Sequence, residues 1–87
     1  MSDTERLVEE RGSNYGHPAI NHTRCAGLWD AYLENLDGRP LGPEDVCYMM
    51  ILLKIARAQH GVRMTDTVED IKGYAENIVM IWEASPE

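Results

Sequence analysis

The stretch VCYMMILLKIARAQH, residues Val46–His60, contains the longest apolar run of this chain. From Val46 to Ile55 every residue except Lys54 is apolar or aromatic. At about 100° per residue these side chains cover the whole circumference of a helix and leave no solvent-facing stripe. The stretch therefore predicts a helix that is surrounded by neighbours, at the centre of a bundle.

Two long cations, Lys54 and Arg57, lie on this helix three residues apart. That spacing places them on neighbouring positions of one face. A charge among packed apolar side chains is costly unless it meets a partner. The pair therefore predicts that anions reach this face of the central helix.

Two further helices are predicted around the central one. Residues Pro18–Leu36 repeat apolar side chains in the 3–4–3–4 rhythm of one buried helix face; these are Cys25, Leu28, Trp29, Tyr32 and Leu36. The last helix is predicted to begin at Asp66. Its predicted core stripe is Val68, Ile71, Ala75, Ile78 and Trp82.

A short N-terminal helix over Ser2–Arg11 completes the predicted elements, because Ser2 and Glu5 have the spacing of a capping box. No segment alternates apolar and polar residues, so strands are not expected. The prediction is an all-α fold, a small bundle of three long helices plus the short N-terminal one. Residues 1–87 would form a single domain, completed by homodimerisation.

The chain carries a formal net charge of −7 over 87 residues, which argues against a nucleic-acid backbone or an anionic membrane as its main partner. Its two cysteines, Cys25 and Cys47, lack metal-ligand spacing and are predicted to be reduced core thiols. No apolar run reaches the roughly 18 residues of a membrane span, and the acidic N-terminus lacks a secretory apolar region. The predicted location is the cytoplasm.

Asp66 and Asp70 lie four residues apart, so their carboxylates can converge on one point. Mg²⁺ takes oxygen ligands of this kind, with phosphates and waters completing its shell. Lys54 and Arg57 would then hold phosphate oxygens. A purely structural interpretation is favoured by the residue types alone, because this spacing is common in helices: Asp66 caps the helix, and Asp70 forms a salt bridge with Lys54 or Arg57.

The loop Gly12–Pro18 contains an aromatic residue and a histidine. Tyr15 and His17 either close this loop over the core or line a pocket, with Tyr15 stacking on a base and His17 donating a hydrogen bond. Asn21 falls on the predicted buried face and is either a satisfied amide or a ligand contact. Gly73, inside the last helix, indicates that something approaches the backbone there.

Three spaced strings resemble a family of small, mostly phage-encoded proteins of unknown function. They are ERGSNYGHP from Glu10, PEDVCYMMILLKIAR from Pro43 and DTVEDIKGYAENI from Asp66. That family is in turn similar to the all-α nucleoside triphosphate pyrophosphohydrolases of the MazG type. The resemblance implies a bundle that completes its site by oligomerising, as a dimer or a higher oligomer.

The resemblance also implies Mg²⁺ as cofactor, a nucleotide or other phosphorylated small molecule as ligand, and water attack between the α and β phosphates. The residues expected to act in catalysis are Asp66, Asp70, Lys54 and Arg57, the two aspartates holding the metal. The residues expected to bind the substrate are Tyr15, His17, Asn21 and Tyr74. Two alternatives stay open: a protein that binds nucleotides without cleaving them, and an acidic phage protein that binds a host or defence protein in the host cytoplasm.

Overall fold

A computed structural model describes residues 17–59 and 64–84 of the chain. These residues form three helices, α1 (Pro18–Glu34), α2 (Pro43–Ala58) and α3 (Thr65–Ala84). No strand occurs within the two described segments, and the prediction of an all-helical fold is confirmed for them. The predicted N-terminal helix over Ser2–Arg11 lies outside the described residues.

Each helix start has a local cause in the sequence. His17 precedes α1, and its Nδ1 accepts a hydrogen bond from the Ala19 N–H at 3.0 Å. At α2 the Asp45 carboxylate reaches back to the Gly42 N–H at 2.7 Å, which is the acidic half of a capping box. α3 begins at Thr65, so Asp66 lies inside its first turn and the expectation that Asp66 is the cap is wrong.

α2 is the central helix, because α1 and α3 both pack against it and make few or no contacts with each other. The Trp29 indole N–H of α1 donates to the Met49 carbonyl of α2 at 2.7 Å. The Arg24 guanidinium donates a hydrogen bond to the Ala56 carbonyl at 3.2 Å, nearer the start of α1 and the end of α2. These contacts run the two helices antiparallel, with the start of α1 beside the end of α2.

The apolar helix α2 is less enclosed than its sequence predicts. Cys47 and Ala56 are buried, whereas residues 48–55 are half-buried and Val46 is exposed. The reason is that two neighbouring helices cover only part of a helix circumference. Among the described residues, α2 is therefore central without being surrounded.

The predicted core face of α1 is confirmed, since Cys25 is buried and the other predicted members are half-buried. The predicted core stripe of α3 is partly wrong. Val68 and Trp82 are 56% and 54% exposed, and Ala75 is exposed as well. The buried or half-buried row is instead Thr67, Ile71, Tyr74, Ile78 and Ile81.

Two polar contacts fix this rotation of α3. The Trp82 indole N–H donates to the Glu44 carboxylate at 2.9 Å, at the surface near the start of α2. Lys54 pairs with Asp70 near the other end of the interface. Together they turn α3 so that Trp82 lies at the edge of the interface instead of within it.

Candidate functional site

An open groove of about 420 Å³ runs along α3. Its described lining consists of Glu69, Asp70, Gly73, Tyr74, Glu76 and Asn77. These positions recur at helical spacing on one flank of α3, next to the edge that packs against α2. The lining offers carboxylates, an amide, an aromatic ring and a stretch of backbone without a side chain.

Lys54 of α2 forms an ion pair with Asp70, one of the residues that line this groove. Its Nζ lies 3.0 Å from Asp70 Oδ2. The Lys54 side chain is 13% exposed and that of Asp70 is 50% exposed. Lys54 is thus held within the helix interface, while Asp70 presents its carboxylate to the groove.

The remaining residues of the predicted phosphate and metal site are placed differently. Asp66 is exposed in the first turn of α3, one turn ahead of Asp70, and does not line the groove. Burial raises the pKa of the Cys25 thiol, and the positive charge of Arg57 partly offsets this rise. Arg57 therefore lies close to α1, whereas Lys54 extends toward α3.

The predicted substrate-binding residues are divided among different parts of the molecule. Tyr74 lines the groove beside Asp70. His17 is exposed and uses Nδ1 to cap α1, a role that its position just before Pro18 could have indicated. Asn21 is buried on α1, and Tyr15 lies outside the described residues.

A second polar cluster, which was not predicted from the sequence, closes the α1–α2 connection. Asp45 is only 2% exposed and accepts a hydrogen bond from the Tyr32 hydroxyl at 2.6 Å. The guanidinium of Arg39 donates to both carboxylate oxygens, at 2.9 and 3.0 Å. With the Gly42 N–H as a further donor, the carboxylate is fully engaged and serves structure.

The cluster shifts the ionisation of its members. Arg39 above all, then Tyr32 and the Gly42 N–H, hold the pKa of the Asp45 carboxyl well below its usual range. Burial, followed by the hydrogen bond to Asp45, raises the pKa of Tyr32 to about 12. Both groups therefore keep one charge state across the physiological range.

Other features bear on the expected chemistry and location. Within residues 17–59 and 64–84, no three histidine, cysteine, aspartate or glutamate side chains lie together as a ready metal site. Cys25 and Cys47 are buried and free, as predicted. None of the helices in the described segments has the length and apolar character needed to cross a membrane.

Comparison with known proteins identifies relatives in phages. The chain is 48% identical over 76 residues to the Gene 55 protein of Mycobacterium phage L5, an alignment that covers 86% of this chain and 47% of that protein. It is 36% identical over 88 aligned positions to the Gene 55 protein of Mycobacterium phage D29, covering 100% of this chain and 56% of that protein. The chain thus spans about half the length of the curated relatives it matches. No solved structure matches it.

The family model described as "Domain of unknown function (DUF6378)" matches residues 1–80. The expected resemblance to a phage family of unknown function is confirmed by this match and by the two relatives. The similarity to enzymes of the MazG type stays a prediction. With a match over nearly its whole length, the chain belongs to the DUF6378 family.

Proposed function

We propose that this chain binds a nucleotide together with Mg²⁺ in the groove of α3. The observation that carries the proposal is the Lys54–Asp70 pair, a cation and a carboxylate 3.0 Å apart at the groove. A nucleotide–metal complex presents the complementary pair, a phosphate for Lys54 and a cation for Asp70. The groove is open to solvent and offers a volume of about 420 Å³ beside these side chains.

The charge of the lining favours a metal-bound nucleotide over a bare one. Glu69, Asp70 and Glu76 line the groove and would repel an uncompensated polyphosphate. Mg²⁺ is commonly held by one or two carboxylates together with substrate phosphates. The half-exposed carboxylate of Asp70 is an oxygen ligand of the kind that this ion takes, and Asp66 lies one turn away.

The other lining residues suit the remainder of a nucleotide. Tyr74 offers a ring for stacking, and Asn77 offers an amide that donates and accepts hydrogen bonds. Tyr15, His17 and Asn21 would contribute to base or sugar binding, and Arg57 to phosphate binding, from a second copy of the chain, because α1 and α3 make few or no contacts within one copy.

Hydrolysis in the manner of MazG-type enzymes extends the proposal. Bound Mg²⁺ would neutralise phosphate charge and lower the pKa of a bound water. Water would add to the α-phosphorus while the bond to the bridging oxygen breaks, releasing a nucleoside monophosphate, pyrophosphate and a proton. Lys54 would stabilise the negative charge that builds on the phosphates.

Gly73 gives a sharp test of where the nucleotide binds. A Cβ added at Gly73 or at Gly27 would meet no heavy atom within 4 Å, and both residues lie inside helices. Either change to alanine should stabilise the fold by about 1 kcal/mol in urea unfolding. Only Gly73→Ala places a methyl group in the groove, and it should weaken nucleotide binding at least about fivefold by calorimetry with Mg²⁺.

Gly27→Ala is the matched control, since it adds the same methyl group to a helix that does not line the groove. Equal affinities of the two variants for nucleotide would remove the groove from consideration as the binding site.

A second function, docking of a host protein, is favoured by a different surface. Val68, Val79 and Trp82 are exposed large apolar side chains on one face of α3. Exposed apolar side chains close together on a helix are typical of interaction surfaces, and the acidic chain would suit a basic partner. Homodimerisation through this surface is proposed as well, and light scattering during size exclusion tests it directly.

Val79→Glu should abolish capture of a host partner from lysate, because Val79 is 46% exposed and its replacement puts a charge into the apolar surface. Glu83→Ala, which changes a charge beside that surface, should leave capture intact. Capture that survives Val79→Glu would contradict docking through this surface.

A further inference from the structure

We propose that the Lys54–Asp70 ion pair couples cation binding to phosphate binding, so that each ligand strengthens the binding of the other. This inference rests on the proposed function, because it concerns the same groove. It adds a reason why the groove would accept a metal-bound nucleotide and reject either component alone.

The first step concerns the ammonium group of Lys54. Its side chain is 13% exposed. A charge in such a place needs an opposite charge beside it. Asp70 supplies that charge at 3.0 Å. A cation that takes the Asp70 carboxylate therefore leaves Lys54 needing another anion.

The second step concerns the carboxylate of Asp70. A phosphate that takes Lys54 removes the cation closest to Asp70. The groove then holds the carboxylates of Glu69, Asp70 and Glu76 beside a new negative charge. Those like charges oppose the phosphate unless a cation enters with it.

The two steps together define an exchange of partners. One ion pair is replaced by two, Asp70 with the cation and Lys54 with the phosphate. Either ligand alone weakens the existing pair and leaves one of its two charges less well compensated, whereas the two together keep every charge compensated. By linkage, the factor by which phosphate strengthens cation binding equals the factor by which the cation strengthens phosphate binding.

A solvent-exposed pair on α3 provides the internal contrast. Lys72 Nζ lies 3.6 Å from Glu69 Oε1, and the two side chains are 65% and 62% exposed. Water compensates each charge when such a pair opens, so its contribution is small.

The test uses the full chain with Mn²⁺ as the metal and inorganic phosphate as the anion, reading free Mn²⁺ by electron paramagnetic resonance. In the wild type, saturating phosphate should tighten Mn²⁺ binding at least about fivefold. Lys54→Met should bind Mn²⁺ more tightly than the wild type without phosphate, since Asp70 is released, and phosphate should then add nothing. Asp70→Asn should bind phosphate without metal, and Glu83→Ala, which removes an exposed carboxylate outside the groove, should behave as the wild type.

Two results would overturn the coupling. One is a wild-type Mn²⁺ affinity that phosphate does not change, and the other is a Lys54→Met variant whose Mn²⁺ affinity responds to phosphate as that of the wild type does. Circular dichroism verifies that each variant is helical, and Lys54→Met keeps an unbranched apolar side chain to fill the interface. A parallel titration with Mg²⁺ and nucleotides separates the two proposals: nucleotide binding without coupling overturns only the coupling, and coupling without nucleotide binding overturns only the nucleotide.

Discussion

Replacing Asp45 with alanine is expected to lower the midpoint of thermal unfolding by at least about 10 °C. The buried carboxylate accepts hydrogen bonds from Tyr32, Arg39 and Gly42, and alanine leaves those donors without it. A bundle of this size has little stability to spare. Circular dichroism melting measures the change. Asp30→Ala, an exposed change on α1, serves as the control and should shift the midpoint by no more than about 3 °C.

The acid limb of the stability profile provides an independent check on Asp45. Its pKa is held below the usual range in the folded chain, and the unfolded chain restores a value of about 4. The stabilisation is therefore complete above about pH 4 and is lost as the pH falls from there toward the folded-state pKa. Asp45→Asn should flatten this part of the profile. An unchanged acid limb would mean that Asp45 does not control it.

The alkaline limb reports on Tyr32 in the same cluster. Its pKa is raised to about 12 in the folded chain, against about 10 for an unfolded tyrosine. The unfolded chain thus loses its proton first, and stability should fall as the pH rises from about 10 to 12. Tyr32→Phe removes this contribution, and the tyrosinate absorbance should lose its late-titrating component.

Replacing Asp70 with alanine is expected to reduce Mg²⁺-dependent release of pyrophosphate at least about a hundredfold. Asp70 is the carboxylate that joins Lys54 to the groove, so its loss removes the proposed metal ligand and leaves the lysine without its counter-charge. A colorimetric pyrophosphate assay over a panel of common and modified nucleotides measures the rate.

Glu83→Ala is the matched control for this loss, because it removes one carboxylate from the same helix outside the groove. Equal rates for the Asp70 and Glu83 variants would contradict a role for Asp70. The hydrolytic proposal itself fails if the wild type releases no pyrophosphate from any nucleotide of the panel.

The sequence predicted the three described helices well and the rotation of the last one poorly. The predicted stripe of α3 and the observed row share Ile71 and Ile78, so periodicity alone cannot distinguish them. The rotation depends on the contacts of Trp82 with Glu44 and of Asp70 with Lys54. Each joins residues from different helices, and no local pattern contains that information.

The contacts of the polar residues likewise depend on how separate parts of the chain come together. The Lys54–Asp70 contact follows from opposite charges on adjoining helices, and it was one of the two interpretations of these residues. The environment of Asp45 could not be predicted, because Tyr32 and Arg39 reach it only after the chain reverses at Asp37 and Gly38, both with positive φ.

The two tryptophans give this molecule separate optical reporters for its two helix contacts. The indole N–H of Trp29 donates a hydrogen bond to a backbone carbonyl of α2, while that of Trp82 donates one to a carboxylate at the surface. Their emission should differ in colour and in accessibility to a soluble quencher. In a chain with one indole replaced by phenylalanine, fluorescence would follow the detachment of a single outer helix, so the order in which the bundle comes apart can be read without an added dye.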